Sequence, residues 1–175
     1  MKFAVDCMLG KLAKWLKILG FDAVFFNKIE DEDLMAVAQK EGRILVTRDT
    51  GLIERARKMH AFFINSENWK EQVQEVMNHF DLWDHVKPNS RCLECNRPLK
   101  ELSKAKAKNL VTPFVYKTAD TFALCPDCGR VFWRGTHLKD MESRINALLK
   151  DRKVPFEELQ KKRMRMLLKY PIASR

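Results

Sequence analysis

Arg91-Cys92-Leu93-Glu94-Cys95-Asn96 begins a pattern that Leu124-Cys125-Pro126-Asp127-Cys128-Gly129 completes, namely two C-x-x-C turns in one short chain. Four thiolates form the tetrahedral ligand set that Zn²⁺ prefers, so the spacing predicts a zinc ribbon. The predicted zinc ligands are Cys92, Cys95, Cys125 and Cys128. A zinc ion with four protein ligands has no open position for catalysis, so we expect a structural site. Disulfide pairing is the alternative that the spacing leaves open, and it is less typical of an intracellular protein.

Each turn is followed by a residue that tolerates a left-handed backbone, Asn96 after the first turn and Gly129 after the second. The long spacer between the turns predicts a hairpin and a loop. Within it, Leu99 to Leu110 carries four lysines and reads as a mobile basic loop, suited either to phosphates or simply to solvent. The spacer aromatics and those beyond the second turn alternate along two predicted strands, and we expect them to form the small core of the ribbon rather than to stack on bases. These aromatics are Phe114, Tyr116, Phe122, Phe132 and Trp133.

The charge of the chain is unevenly distributed. Residues 1–88 carry 13 Lys and Arg against 14 Asp and Glu, whereas residues 89–175 carry 20 against 9. A solvated lysine surface accounts for a high charge content but not for this asymmetry, so a polyanionic partner of the second half is favoured. The sequence contains no apolar run long enough for a membrane span and no signal peptide. The unpaired Cys7 beside a zinc site indicates a reducing, cytoplasmic location.

Before the first cysteine turn, strand and helix patterns alternate without a break. Short apolar runs begin at Lys2, Ala23, Ile44 and Ala61, and each is followed by apolar residues at helical spacing. The first helix is expected over Met8–Leu19, and the last is expected to be capped by Ser66. This alternation predicts an α/β fold, a parallel sheet with helices on both faces.

Three aspartates are expected at one edge of that sheet. Asp6 and Asp49 follow the first and third strands, and Asp31 begins the helix that follows the second. Parallel strands collect functional residues at their carboxyl ends, and converging carboxylates are a common site for Mg²⁺ or Mn²⁺. Each Asp also precedes a helical run, so each has the alternative role of an N-cap. Lys11, Lys14 and Arg48 near this edge could hold phosphates or neutralise the acids.

The same residues resemble a known family. Val5 to Leu16, Asp31 before an apolar helix, Gly42 to Asp49, and Val131 to His137 with Met141 together resemble the PIN-like family called the Mut-seven C-terminal RNase domain. The resemblance covers about residues 1–150. It implies a PIN-like domain followed by a zinc ribbon, and metal-dependent ribonuclease chemistry with Asp6, Asp31 and Asp49 at the acidic positions. PIN nucleases commonly place a fourth acid after the next strand, where this sequence has Asn65.

These patterns predict three parts: a PIN-like domain over 1–88, a zinc ribbon with its following helix over 89–150, and a basic helical tail over 151–175. His137 is read as structural, beside the helix cap Thr136. The expected function is a Mg²⁺- or Mn²⁺-dependent ribonuclease whose ribbon and tail bind RNA, which could be ribosomal or structured. The alternative is a non-catalytic RNA- or ribosome-binding protein that keeps the PIN-like scaffold.

Overall fold

The computed structural model describes residues 1–133 and 143–148. Residues Met1–Thr136 form one compact unit and His137–Arg175 a second, in which residues 143–148 are helical. Thr136, His137 and the predicted tail helix lie outside the described residues, and the predicted boundaries after residues 88 and 150 stay predictions. No helix in the described ranges is both long and apolar enough to cross a membrane.

Four parallel strands form the first sheet, which confirms the α/β prediction. Their order is β2-β1-β3-β4, so β1 and β3 are central. The strands are β1 Lys2–Val5, β2 Asp22–Phe25, β3 Ile44–Thr47 and β4 Ala61–Phe63. Because all four run the same way, the loops that follow them open onto one edge of the sheet. That edge carries Asp6, Asp49 and Asn65.

Helices cover both faces of this sheet. They are α1 Gly10–Ile18, α2 Asp31–Glu41, α3 Thr50–Arg55 and α4 Trp69–His79, with a 3₁₀ turn Cys7–Leu9 before α1. On one face, α2 and α3 bury apolar side chains against Ala4 and Leu45. Side chains of neighbouring strand residues point to opposite faces, so Phe3 points to the face opposite Ala4. On that face the Phe3 and Phe80 ring centroids are 5.7 Å apart. There α1 packs on α4 through Trp15 and Trp69, stacked at 4.8 Å.

The helix ends follow local chemistry, with one correction. Gly42 ends α2 in the left-handed conformation, with φ of 60°, as a glycine stop signal predicts. The predicted cap of α4, Ser66, was wrong. The side chain of Asn68 caps that helix by accepting a hydrogen bond from the Lys70 amide at 2.9 Å. Ser66 instead accepts from the Asn68 amide and so orders the turn before the cap.

The ribbon is a three-stranded antiparallel sheet of β5 Lys100–Leu102, β6 Phe122–Leu124 and β7 Val131–Trp133. Two short helices, α5 Lys104–Ala107 and α6 Pro113–Thr118, connect β5 to β6. The predicted basic loop therefore contains a strand and a helix. The strand predicted through Phe114 and Tyr116 was wrong, because the Thr112 hydroxyl caps α6 by accepting from the Val115 amide and Pro113 occupies its first turn.

Candidate metal centre and acidic edge

The four predicted zinc ligands come together in space. Their sulfur atoms all lie within 4.8 Å of one another, and Cys92 Sγ is 3.8 Å from Cys128 Sγ. Zn–S bonds of about 2.3 Å arranged as a tetrahedron separate the sulfurs by about 3.8 Å. The donor set and its spacing therefore fit a four-coordinate structural zinc ion. None of the five cysteines forms a disulfide.

The two cysteine turns are built alike. The Asn96 amide donates to the Cys92 carbonyl, and the Gly129 amide donates to the Cys125 carbonyl, each at 3.0 Å. Asn96 and Gly129 both have a left-handed backbone, with φ of 59° and 69°. This confirms the conformation that the sequence predicted after each second cysteine. Two matching turns thus aim their cysteine pairs at one point.

The thiol pKa values differ across the cluster. The backbone amide of Cys128, donating to the Cys125 sulfur, is the largest factor that lowers the pKa of Cys125 to about 7. A hydrogen bond with the Cys128 side chain is the largest factor that raises the pKa of Cys95 to about 12. A bound Zn²⁺ would hold all four as thiolates.

The first cysteine turn is fastened to α1 and β2. Lys17 Nζ donates to the Leu93 carbonyl at 2.7 Å, and the Asn96 side chain accepts from the Ala23 amide at 3.2 Å. Burial lowers the pKa of Lys17, while the negative charges of Glu94 and the cysteines act in the opposite direction. Asn96 therefore serves twice, since its backbone completes the turn and its side chain pairs with the edge strand β2.

A charged network around Asp22 supports this junction. Asp22 Oδ1 accepts from Arg43 Nη1 at 2.5 Å and from Asn96 Nδ2 at 2.7 Å, and Arg91 lies 3.5 Å from Oδ2. Burial raises the pKa of Asp22, but the hydrogen bonds from Arg43 and Asn96 outweigh it and the pKa is lowered overall. Nothing in the sequence pattern pointed to Asp22, because its partners come from two distant segments. Arg43 lies directly before β3, and Arg91 and Asn96 belong to the first cysteine turn.

Asp6 and Asp49 approach each other through a single buried hydroxyl. Thr47 Oγ1 donates to Asp6 Oδ2 at 2.5 Å and accepts from the Asp49 amide at 2.9 Å. Asp6 is 5% exposed and Thr47 fully buried, whereas Asp49 is exposed. Asp49 also caps α3, because its Oδ1 accepts from the Leu52 amide at 3.0 Å. The alternative prediction of an N-cap role is therefore confirmed for Asp49. The Asp6 side chain makes no capping hydrogen bond.

Asp31 stands at the start of α2 and forms an ion pair with Arg55 through Oδ2. It makes no cap itself, because Glu30 occupies the cap position. The pKa of Cys7 is raised first by a hydrogen bond with Asp6, then by burial and by the Asp6 charge, and further by the Asp31 charge.

The three aspartates are not clustered like the cysteines. Within residues 1–133 and 143–148, the cysteine set is the one group of three or more His, Cys, Asp or Glu side chains positioned to hold a metal ion. Each aspartate engages one identified oxygen, which is Oδ2 in Asp6 and Asp31 and Oδ1 in Asp49. A carboxylate has two oxygens and about four lone-pair sites, so these contacts leave capacity for a further ligand.

The three predicted phosphate-binding cations lie close to this edge. Lys11 lines an open cleft of about 530 Å³ formed by residues 8–11 and 67–70 with Gln72. Lys14 is exposed one helical turn further along α1. Arg48 donates to Glu67 at 3.0 Å, and Glu67 also lines the cleft. Lys11 and Lys14 thus remain accessible, while Arg48 is already paired.

One acidic residue was missed by the sequence analysis. Glu75, on α4, accepts from the Asn65 amide at 2.9 Å through Oε2 and from the Ser66 amide at 2.8 Å through Oε1. It therefore supplies a carboxylate after β4, where the sequence shows only Asn65. The sequence around Asn65 does not predict this contact, because Glu75 reaches Asn65 only when α4 packs back along the sheet.

A family model described as Mut7-C RNAse domain matches residues 1–145 of the chain. The match spans the parallel sheet, the acidic edge and the four cysteines. No curated protein and no solved structure matches the chain.

Proposed function

Because the chain belongs to the Mut7-C RNAse domain family, we propose that it is a metal-dependent ribonuclease that hydrolyses RNA phosphodiester bonds. The observation that carries the proposal is the Asp6–Thr47–Asp49 link at the carboxyl ends of β1 and β3. Thr47 holds the buried Asp6 carboxylate and the Asp49 backbone at the same edge of the sheet, and an edge that carries two aspartates is a suitable start for a divalent cation site. Five free cysteines suit a reducing cytoplasm.

In this proposal, Asp6, Asp31 and Asp49 hold Mg²⁺ or Mn²⁺. Such an ion would make a water molecule nucleophilic and balance the charge that develops on phosphoryl oxygens. Asp31 must give up Arg55, and the cost is small because both partners are partly exposed and such pairs contribute at most about 1 kcal/mol. Thr47 holds Asp6 in one orientation. Lys11 and Lys14 bind the phosphates of the RNA on the cleft side.

The ribbon supplies RNA affinity in this scheme. Its exposed lysines neutralise phosphates without reading sequence, so RNA affinity should fall steeply with salt. The zinc ion has a purely structural role, since Cys92, Cys95, Cys125 and Cys128 complete its coordination.

A non-catalytic RNA- or ribosome-binding protein is the second candidate. It is favoured by the same edge of the sheet, where Asp49 caps α3 and Asp31 pairs with Arg55. In such a protein these acids would be structural residues of an inherited scaffold.

The test is a cleavage assay with labelled single-stranded RNA and zinc-loaded protein, with and without added Mn²⁺. We expect Mn²⁺-dependent cleavage that is lost in Asp6→Asn and retained in Asp33→Asn, a matched control at an exposed position on α2. RNA binding without cleavage in any divalent ion, unchanged in Asp6→Asn, would support the second candidate and contradict the first.

A further inference from the structure

Phe114 is exposed in a way that the ribbon core does not explain. Its side chain is 74% exposed, whereas Phe122 in the same module is 4% exposed. Exposing a phenyl ring to water is unfavourable, and a surface that presents such a ring to solvent is available to a ligand with a flat apolar face.

The fold of α6 explains which way the ring faces. Val115 packs against the small core of Leu102, Ala107, Ala119 and Phe122. Successive helical residues are about 100° apart, so Phe114 is turned away from the core that Val115 enters. Lys117 follows Phe114 at the i+3 position, on the same side of the helix. The ring and a cation therefore share one outward surface.

The surroundings of Phe114 are uniformly basic. Residues 104–118 contain four lysines and neither Asp nor Glu. Lys104 is paired with Asp120 at 3.4 Å and lies over the Tyr116 ring at 5.7 Å. Lys106, Lys108 and Lys117 are exposed, and Leu110 beside them is 54% exposed.

We propose that this surface, formed by α5, α6 and residues 108–112 between them, binds single-stranded RNA, with Phe114 stacking on a base and the lysines contacting the flanking phosphates. This proposal rests on the proposed function, in which RNA is the ligand. It assigns RNA binding to one surface of the ribbon. An apolar protein partner is disfavoured because it would bury three lysines together with Phe114. These are Lys106, Lys108 and Lys117, which form no ion pair within the described part of the chain. A polyanion with flat bases complements both the charge and the ring.

The experiment measures fluorescence anisotropy of a short labelled single-stranded RNA with the full zinc-loaded chain, without Mn²⁺ so that RNA stays intact. Phe114→Ala should weaken binding by about 10-fold or more, because stacking on an aromatic side chain contributes roughly 1–3 kcal/mol per base. Phe114→Trp should restore it. Trp133→Ala is the matched control, since Trp133 is an aromatic residue 41% exposed on β7, outside the proposed surface.

Two further arms separate stacking from charge. An abasic strand of the same length should bind wild type and Phe114→Ala equally, because it has no base to stack. Lys106→Gln with Lys108→Gln should reduce the slope of log affinity against log salt by about 0.7 for each phosphate that the protein no longer neutralises. Zinc content of one ion per chain verifies that each variant is folded.

Equal RNA affinity of Phe114→Ala and Trp133→Ala would overturn the proposal, whatever the nuclease assay shows. So would self-association that Phe114→Ala abolishes while RNA affinity stays unchanged, since the surface would then bind protein. If wild type binds RNA through Phe114 but never cleaves it, this inference stands and the nuclease proposal fails.

Discussion

Thr47 is buried between two carboxylate-bearing residues and uses its hydroxyl as donor to Asp6 and as acceptor from the Asp49 amide. Thr47→Val keeps the shape of the side chain and removes both hydrogen bonds. We expect the free energy of unfolding to fall by about 1–3 kcal/mol, because a buried carboxylate loses its donor. Urea unfolding of both proteins measures the change.

Thr50→Val is the matched control, because Thr50 is exposed at the start of α3. It should alter the free energy of unfolding by no more than about 0.5 kcal/mol. Equal stabilities of the Thr47→Val and Thr50→Val proteins would mean that the hydroxyl of Thr47 does not order the acidic edge.

Asp22 makes stability depend on pH. Its pKa is lowered in the folded protein, so its contribution is complete above the ordinary aspartate value of about 4 and is lost as the pH falls through the folded pKa. We expect the difference in unfolding free energy between wild type and Asp22→Asn to be largest near neutral pH and to shrink below about pH 4. Acid also releases zinc, and the comparison cancels this loss because both proteins share it. A difference that stays constant down to about pH 3 would contradict the assignment.

At the level of elements, the end of α1 meets the chain that enters the ribbon. Gly20 has φ of 96°, and a Cβ there would lie 2.3 Å from the Lys87 carbonyl oxygen. Gly20→Ala should therefore lower the free energy of unfolding by about 3 kcal/mol or more. Gly42 also has positive φ, but a Cβ there meets nothing within 4 Å. Gly42→Ala should lower the free energy of unfolding by only about 1 kcal/mol. Denaturant unfolding of the two variants measures both losses. A larger loss in Gly42→Ala than in Gly20→Ala would contradict the close approach of Gly20 to Lys87.

Zinc should stabilise β2 as well as the ribbon. The Ala23 amide donates to the Asn96 side chain, which is placed by the first cysteine turn. Removing zinc by chelation, or by Cys95→Ser, should speed hydrogen exchange at the Ala23 amide. The Leu45 amide in the sheet centre, which donates to the His60 carbonyl, is the internal control and should exchange as before. Unchanged protection at Ala23 would show that the turn keeps its form without metal.

Local signals explain which elements the sequence could predict. β3 was predicted to begin at its observed first residue, Ile44, because a short apolar run lies between Gly42 and Arg48. α6 was missed because Phe114-Val115-Tyr116 has the composition of a strand, and the Thr112-Pro113 start signal prevailed over it. Local hydrogen bonds decided the cap of α4, because the Asn68 side chain accepts from the Lys70 amide while the Ser66 hydroxyl accepts from the Asn68 amide.

The same distinction holds for the site. The zinc ligands were predictable because their spacing and thiol chemistry are written in two short motifs. The edge that carries Asp6 and Asp49 was predictable from topology, but the hydroxyl of Thr47 that joins them was not. The contacts of Glu75 and Asp22 could not be predicted from the sequence either, since folding brings both residues to their partners.

At the largest scale, the unit Met1–Thr136 joins an acidic sheet edge to a basic module that carries the four-cysteine cluster. The contacts of Lys17 and Asn96 fasten the ribbon to the sheet from which the acids project. In the proposed function, the basic module holds RNA while the acids bind the ion that cleavage requires.

Titration of zinc-loaded protein with Mn²⁺, followed by electron paramagnetic resonance, measures whether Asp6 and its neighbours bind a divalent cation. We expect saturable Mn²⁺ binding by wild type and by Asp33→Asn, and its loss in Asp6→Asn. Wild-type protein that binds no Mn²⁺ beyond its zinc, or Asp6→Asn that binds Mn²⁺ as tightly as wild type, would contradict the proposed divalent cation site.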